Sequence, residues 1–378
     1  MRLHSMSPLA TITDIPTSRH PDIPDPLGRR LPWRSLEGYD DGGATSSAKR
    51  TREKSVRAVS LASGSSGNSL LVQAGRTTVL VDAGLGPRIM ASRLKEAGVA
   101  ATAVSAVLLT HEHSDHTCGA RAFARKHGIP LLSDPRTLDR LFAQPDPSGA
   151  VSSGTTPIER IELSVGRETR HGDLSIRSFA VSHDAVAPCG YLLSTGAWSV
   201  LFATDTGEVT GAMLEAMRVA SLLVVESNHD IDRLRLGPYP AHLKRRILSP
   251  TGHLSNEQTS VALSGTLDDS PRWVWLAHLS RTNNTPDIAR AHVRQHLRSR
   301  GLGHVQVQVN TPGLGPTWDT STLWGGGPAQ NSLWSAPPAA PAKAPAASPP
   351  VPVTADVEHE PAPAQSLVTK SASSSERA

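Results

Sequence analysis

The apolar run from Val104 to Thr110 stops abruptly at His111-Glu112-His113-Ser114-Asp115-His116, and this junction limits the choice of fold more than any other stretch. Seven residues rich in Val and Leu predict a buried strand. In extended backbone, side chains two apart share a face, so His111 and His113 can converge on one ion. A turn after Ser114 would aim Asp115 and His116 at a neighbouring position. Imidazoles with a carboxylate suit Zn²⁺ best, with Mn²⁺ or Fe as alternatives. Other apolar runs end the same way: Phe179–Ser182 at His183-Asp184, Leu201–Thr204 at Asp205, and Trp273–Ala277 at His278. A lone histidine after a strand is an ordinary surface or core residue; a series of them in chain order, with Asp205, calls for a fold in which strand ends converge.

Composition bounds that fold. Of the 30 prolines, 17 lie outside residues 59–315, and both flanks lack apolar periodicity. Residues 1–56, which close on a basic run, read as a disordered leader, and residues 316–378 as a disordered Ala/Pro-rich tail. Residues 57–315 remain for one domain with a sizeable core. There is no apolar stretch of about 18 residues and no signal-like h-region, which argues against a membrane span or secretion. Two cysteines, Cys118 and Cys189, cannot build a disulfide framework and point to a cytoplasmic, reducing setting; both are expected to be small buried residues. A net charge of +4 is too small to argue for a nucleic-acid partner by itself.

Within the domain, strands are expected at 57–63, 68–74, 77–84, 104–110, 173–182, 190–195, 198–204, 221–227, 273–279 and 304–310. Helices are expected near 88–97, 119–127, 135–143, 240–249, 255–265 and 286–299. Alternation without a strict βαβ rhythm predicts a mixed-sheet α/β protein.

The HEHSDH string resembles the HxHxDH motif of the metallo-β-lactamase fold, and the order HxHxDH, His, Asp, His is similar to its dinuclear members. Val81-Asp82-Ala83-Gly84 resembles the family's first motif. SLASGSSGNS (60–69), VSHDAVAPCGY (181–191), ATDTG (203–207), ESNHD (226–230), GHLSNEQ (252–258) and AHLSRTNN (277–284) resemble the YycJ/WalJ group, whose neighbours include tRNase Z and the β-CASP nucleases. The likeness spans roughly residues 58–310. It implies a four-layer αββα sandwich and a dinuclear metal-dependent hydrolase cleaving phosphodiester bonds, in this group a 5′→3′ exonuclease favouring DNA over RNA. It also implies two divalent ions that activate water. His111, His113 and His183 would hold one; Asp115, His116 and His278 the other; Asp205 would bridge them. Asp82 would orient a ligand or buttress the loop. His253 would protonate the leaving oxygen, with Glu226 as its acidic partner.

Other residues carry weaker signals. Ser65, Ser66, Gly67 and Asn68 suit either a phosphate cradle or a simple hairpin turn. Arg233, Arg235, Lys244, Arg245, Arg246 and Arg281 suit phosphate contacts or a solvated face. His253 could instead be a plain helix-terminal residue, and His229 and Asp230 could line the cleft or not. Because this fold hosts many activities, a thioesterase- or lactonase-like hydrolase and a metal-bound regulator without turnover are the alternatives.

Overall fold

The computed structural model describes residues 54–145 and 157–323. The expected leader up to residue 53 and the tail beyond residue 323 lie outside the described residues. Two seven-stranded sheets face each other. The first contains β1 (Val56–Ala62), β2 (Ser69–Ala74), β3 (Thr77–Val81), β4 (Ala106–Leu108), β5 (Leu131–Ser133) and β6 (Arg160–Glu162), with β14 (Thr317–Asp319) beyond β1. The second runs from β7 (Glu168–His171) through β8 (Leu174–Ala180), β9 (Cys189–Ser194), β10 (Ser199–Ala203), β11 (Leu222–Glu226) and β12 (Trp273–Ala277) to β13 (Gln306–Val309). Each sheet is antiparallel at one end and parallel at the other: β3 to β6 are parallel, and so are β10 to β13.

The strands read as continuous apolar runs because both faces of each sheet are covered. In β2, Leu70 and Val72 point into the space between the sheets, whereas Leu71 points to the helices outside. In β10, Val200 and Phe202 face inward and Leu201 and Ala203 face outward. Three cores result. The central one joins Tyr191, Phe202, Trp275 and Trp318 with Val72 and Leu108. The first sheet packs outside against α1 (Pro87–Glu96), α3 (Ala120–His127) and α4 (Pro135–Ala143) through Met90, Leu94, Phe123 and Leu138. The second packs against α5 (Gly211–Val219), α8 (Asn256–Ser264) and α9 (Pro286–Ser299) through Met217, Leu263 and Val293. The expected αββα sandwich is the observed one. Short α2 (Ser114–Thr117), α6 (Ile231–Leu236), α7 (Ala241–Ile247) and α10 (Thr320–Leu323) complete the described α-helices.

The structure moves the end of the domain. The expected boundary at residue 315 cuts off β14, which pairs antiparallel with β1. Trp318 is buried between the sheets with its ring 5.8 Å from Trp198 and 5.6 Å from Trp273. Pro316 precedes the strand and does not interrupt its pairing, so proline content misplaced the limit. The cysteines divide: Cys189 is in the central core, but Cys118 is exposed, contrary to expectation. Removing the Trp318 ring leaves a cavity in the central core. Trp318→Ala is expected to cost about 3–5 kcal/mol in urea unfolding, and truncation after Gly315 at least as much; wild-type stability of either variant would contradict this packing.

Candidate metal centre

Parallel pairing puts the carboxyl ends of β3 and β4 at one edge of the first sheet and those of β10, β11 and β12 at one edge of the second. The crevice outside such strand ends is the usual ligand position in α/β sheets. Asp82 follows β3, His111 follows β4, Asp205 follows β10, Glu226 ends β11 and His278 follows β12. His113 occupies the N-cap position of α2 without a side-chain capping bond, and Asp115 and His116 lie in its single turn. Gly84 makes this arrangement close: a Cβ there would meet the Asp115 carbonyl oxygen at 1.6 Å.

The expected ligands come together. His111, His113 and His183 present donor atoms within 4.8 Å of one another, and so do Asp115, His116 and His278. A third such group, His111, His116 and Asp205, overlaps both. Asp205 stands between the two triads: its Oδ2 is 3.1 Å from His116 Nε2, and its Oδ1 is 3.3 Å from His278 Nδ1 and 3.9 Å from His183 Nε2. Behind His116, the buried Asp82 carboxylate lies 2.7 Å from Nδ1 and accepts from the Thr110 backbone N–H at 2.9 Å. This contact turns Nε2 toward the cluster and sets the ring's orientation.

Glu226 is fully buried. Its Oε1 is 2.8 Å from His253 Nδ1 and 2.9 Å from His278 Nδ1, while Oε2 accepts from the backbone of Thr206 at 2.9 Å and of Leu254 at 3.3 Å. Burial opposes its charge, but the two imidazoles bring its pKa down to about 2. Burial likewise opposes a charged His278, but Asp205, Asp115 and Glu226 hold its pKa up at about 10. Burial keeps His111 well below the ordinary imidazole range. Burial also raises Asp82, and His116 and Thr110 offset this only in part.

The donor set fits a divalent cation on two counts. His278 Nε2 is buried without a hydrogen-bond partner among the described residues, with Asp115 Oδ2 3.7 Å away. His111 Nε2 and His113 Nδ1 lie 3.1 Å apart, close to the roughly 3.3 Å between two nitrogens that share one tetrahedral ion at about 2.0–2.1 Å. Imidazole and carboxylate donors arranged in this way suit zinc and its neighbours.

The other expected residues fall in several settings. Asn68 is buried in the floor: its Nδ2 is 3.1 Å from His116 Nε2 and 3.3 Å from Asp115 Oδ2, so it braces the cluster and is no part of an open phosphate cradle. Ser65 and Ser66 are exposed, and Arg281 Nη2 donates to Ser66 Oγ at 2.7 Å. Lys244 Nζ donates to the Arg235 carbonyl at 2.7 Å, and Arg245 is exposed. His229 is fully buried, with neither ring nitrogen bonded and a pKa lowered by burial to about 4. Asp230 caps α6 through the Arg233 backbone N–H. His229, with no exposed surface, does not line an open cleft, whereas Asp230 is partly exposed. Sequence reasoning also missed a buried amide network in which Ser227 donates to Asn256, and Asn284 to Asn256 and to the Ser227 and Asn228 carbonyls. Its one sequence signal is the density of Asn in the loops after β11 and β12.

The Beta-lactamase superfamily domain matches residues 77–279, more than half of the chain. The chain belongs to the metallo-β-lactamase superfamily. It is 38% identical over 247 residues to exodeoxyribonuclease YycJ of Bacillus anthracis, covering 64% of this chain and 89% of that one. With exodeoxyribonuclease WalJ of Streptococcus pneumoniae it shares 39% identity over 243 residues, covering 64% and 88%. Among solved structures, the metallo-β-lactamase fold protein YhfI of Bacillus subtilis aligns with a TM-score of 0.52 at 18% identity, covering 70% of this chain and 99% of that one, a likeness of fold. As a member of this superfamily the protein is a metal-dependent hydrolase that binds divalent metal.

Asp82→Asn isolates the support behind His116. Asn tolerates the left-handed backbone at this position (φ 62°) but lacks the charge. Zinc affinity measured against a competing chelator is expected to fall on the order of 10- to 100-fold; an unchanged affinity would leave Asp82 a purely structural residue.

Proposed function

We propose that this hydrolase is a dinuclear exonuclease that removes nucleotides from DNA in the 5′→3′ direction. The observation that carries this reading is the 38–39% identity, across almost nine-tenths of their length, to two proteins named exodeoxyribonucleases. The site's chemistry agrees. His111, His113 and His183 would hold one ion and Asp115, His116 and His278 the other, with Asp205 between them; Zn²⁺ suits these donors best, with Mn²⁺ or Fe as alternatives. Two such ions, when bound, would lower the pKa of a water and offset charge on the phosphoryl group.

The chain's own residues supply the rest. Asp115, partly exposed beside His116 and His278, would orient the attacking water. Leaving-group departure needs a proton. His253 would give it: Glu226 holds the ring at Nδ1, and the imidazole keeps 18% of its surface exposed. Arg281, which donates to the exposed Ser66, would with Ser66 and Ser65 take phosphate oxygens of the strand end through guanidinium and hydroxyl donors. Lys244 and Arg245 would hold the strand farther from the cut. No helix among the described residues is long and apolar enough to cross a membrane, and a cytoplasmic location belongs to this reading.

End-labelled DNA and RNA, incubated with the protein and Zn²⁺ or Mn²⁺, provide the test. Mononucleotides or short oligomers should appear from 5′ ends of DNA, and Asp115→Ala should abolish their release. His253→Ala should lower kcat on the order of 10²- to 10⁴-fold while metal content stays at the wild-type level. If wild type leaves both nucleic acids intact yet cleaves a thioester or lactone, the exonuclease reading fails.

A further inference from the structure

Helices α6 and α7 are tied at both ends to loops that carry residues of the site. The Asp230 N–H, just before α6, donates to the Asn283 carbonyl in the loop that follows His278. Beyond the other end, the His253 N–H donates to the Ile247 carbonyl at 3.0 Å. Arg246 bonds Asp184 through Nε and Nη2 at 2.7 Å each, beside His183. The turn between the helices is Gly237-Pro238-Tyr239-Pro240, where two prolines fix φ. A Cβ on Gly237 would lie 2.4 Å from the Arg233 carbonyl oxygen and 2.9 Å from Asn283 Oδ1, so the turn is seated hard against the loop that carries Arg281.

This hairpin concentrates positive charge. Residues 231–248 hold five cations and one acid, in a chain whose net charge is only +4. Arg246 is engaged by Asp184. Arg233, Arg235, Lys244 and Arg245 make no ion pair with any described acid. Amid them Leu236 is 87% exposed. A lone exposed leucine is ordinary. One at the last position of α6, just before a prolyl turn and among four cations without ion-pair partners, contributes nothing to the core and offers an apolar contact within a strongly basic surface. A duplex hides the faces of its bases inside the stack, whereas a single strand offers phosphates and base faces together.

We infer that the α6–α7 hairpin is a platform for single-stranded DNA: Arg233, Arg235, Lys244 and Arg245 hold the backbone and Leu236 lies against unstacked bases. The inference rests on the exonuclease reading and adds to it the form of DNA that the enzyme grips and the element that grips it.

The test uses the full chain in EDTA, so that the strand survives, and fluorescence anisotropy of a short labelled single strand across a salt series. Arg235→Ala/Arg245→Ala is expected to raise Kd about tenfold and to flatten the slope of log K against log salt by about 1.4, since each single-strand phosphate contact contributes about 0.7. Leu236→Ser is expected to raise Kd severalfold at every salt concentration without changing the slope. Melting temperatures should match wild type, because all three side chains are exposed. Wild-type Kd and slope in both variants would overturn the platform and leave the exonuclease reading standing. Duplex binding as tight as single-strand binding, with Leu236→Ser indifferent, would overturn the base contact. A wild type that neither binds DNA nor, once metal is restored, shortens it would overturn both readings.

Discussion

One buried carboxylate holds the site's pieces in register. Glu226 takes His253 and His278 on one oxygen and the backbone of Thr206 and Leu254 on the other, while its own carbonyl accepts from Thr259 Oγ1 at 2.6 Å. The end of β11 is thereby linked to the loop after β10, the start of α8 and the residue after β12. A carboxylate without solvent is tolerable only when its lone pairs are met by donors, and here four donors converge. The same contact works in reverse: without Glu226, the Nδ1 atoms of His253 and His278 would lose their shared acceptor inside the protein, and unmet buried groups are costlier than the bonds they lose. The central core and the two outer cores offset the desolvation of this polar seam by burying large apolar faces around it.

Backbone conformation carries part of that cost. The non-glycine residues with positive φ are Asp82 (62°), Asp205 (56°) and His278 (54°), among the described residues. Each lies just past the end of a strand and each faces the cluster or its support. Aspartate visits this region with modest penalty, but a histidine there is uncommon. His278 is held by the Ser63 hydroxyl, which accepts from its N–H at 2.8 Å, and by Asn228, which donates to its carbonyl at 2.8 Å. Backbone out of its preferred region persists when neighbours over-determine it, and such places gather at functional sites.

Much of this was legible in the sequence because metal-type chemistry is local. His111 to His116 occupy six consecutive positions, and His183, Asp205 and His278 each close an apolar run whose strand character is plain. The sandwich itself rested on the family likeness, since apolar runs alone do not give strand order. What stayed hidden depends on long-range contacts. Strand β14 has three residues and exists through its pairing with β1 and the burial of Trp318. Strands β6 and β7 show weak apolar signals because they lie at sheet edges and are largely exposed. Asn68 has the composition of a turn residue, and only its distance to His116 and Asp115 makes it part of the floor. Helix α5 was passed over although Thr210 caps it through the Met213 backbone N–H and its buried face, Met213, Ala216 and Met217, has helical spacing.

The order of the two sheets has a consequence of another kind. β1, β2 and β3 run antiparallel and give way to parallel β4, β5 and β6; β8, β9 and β10 run antiparallel and give way to parallel β11, β12 and β13. The molecule thus contains the same strand plan twice, and β3 of one half is the counterpart of β10 of the other. Both are followed by Asp-x-Gly: Asp82-Ala83-Gly84 in the first half and Asp205-Thr206-Gly207 in the second, each aspartate in the same left-handed turn. One of these twin carboxylates touches imidazoles from both triads, and its counterpart stands behind His116 and never enters the cluster. An internal pseudo-symmetry of the fold has therefore been broken at the level of single side chains, giving one aspartate to the centre and the other to its scaffold.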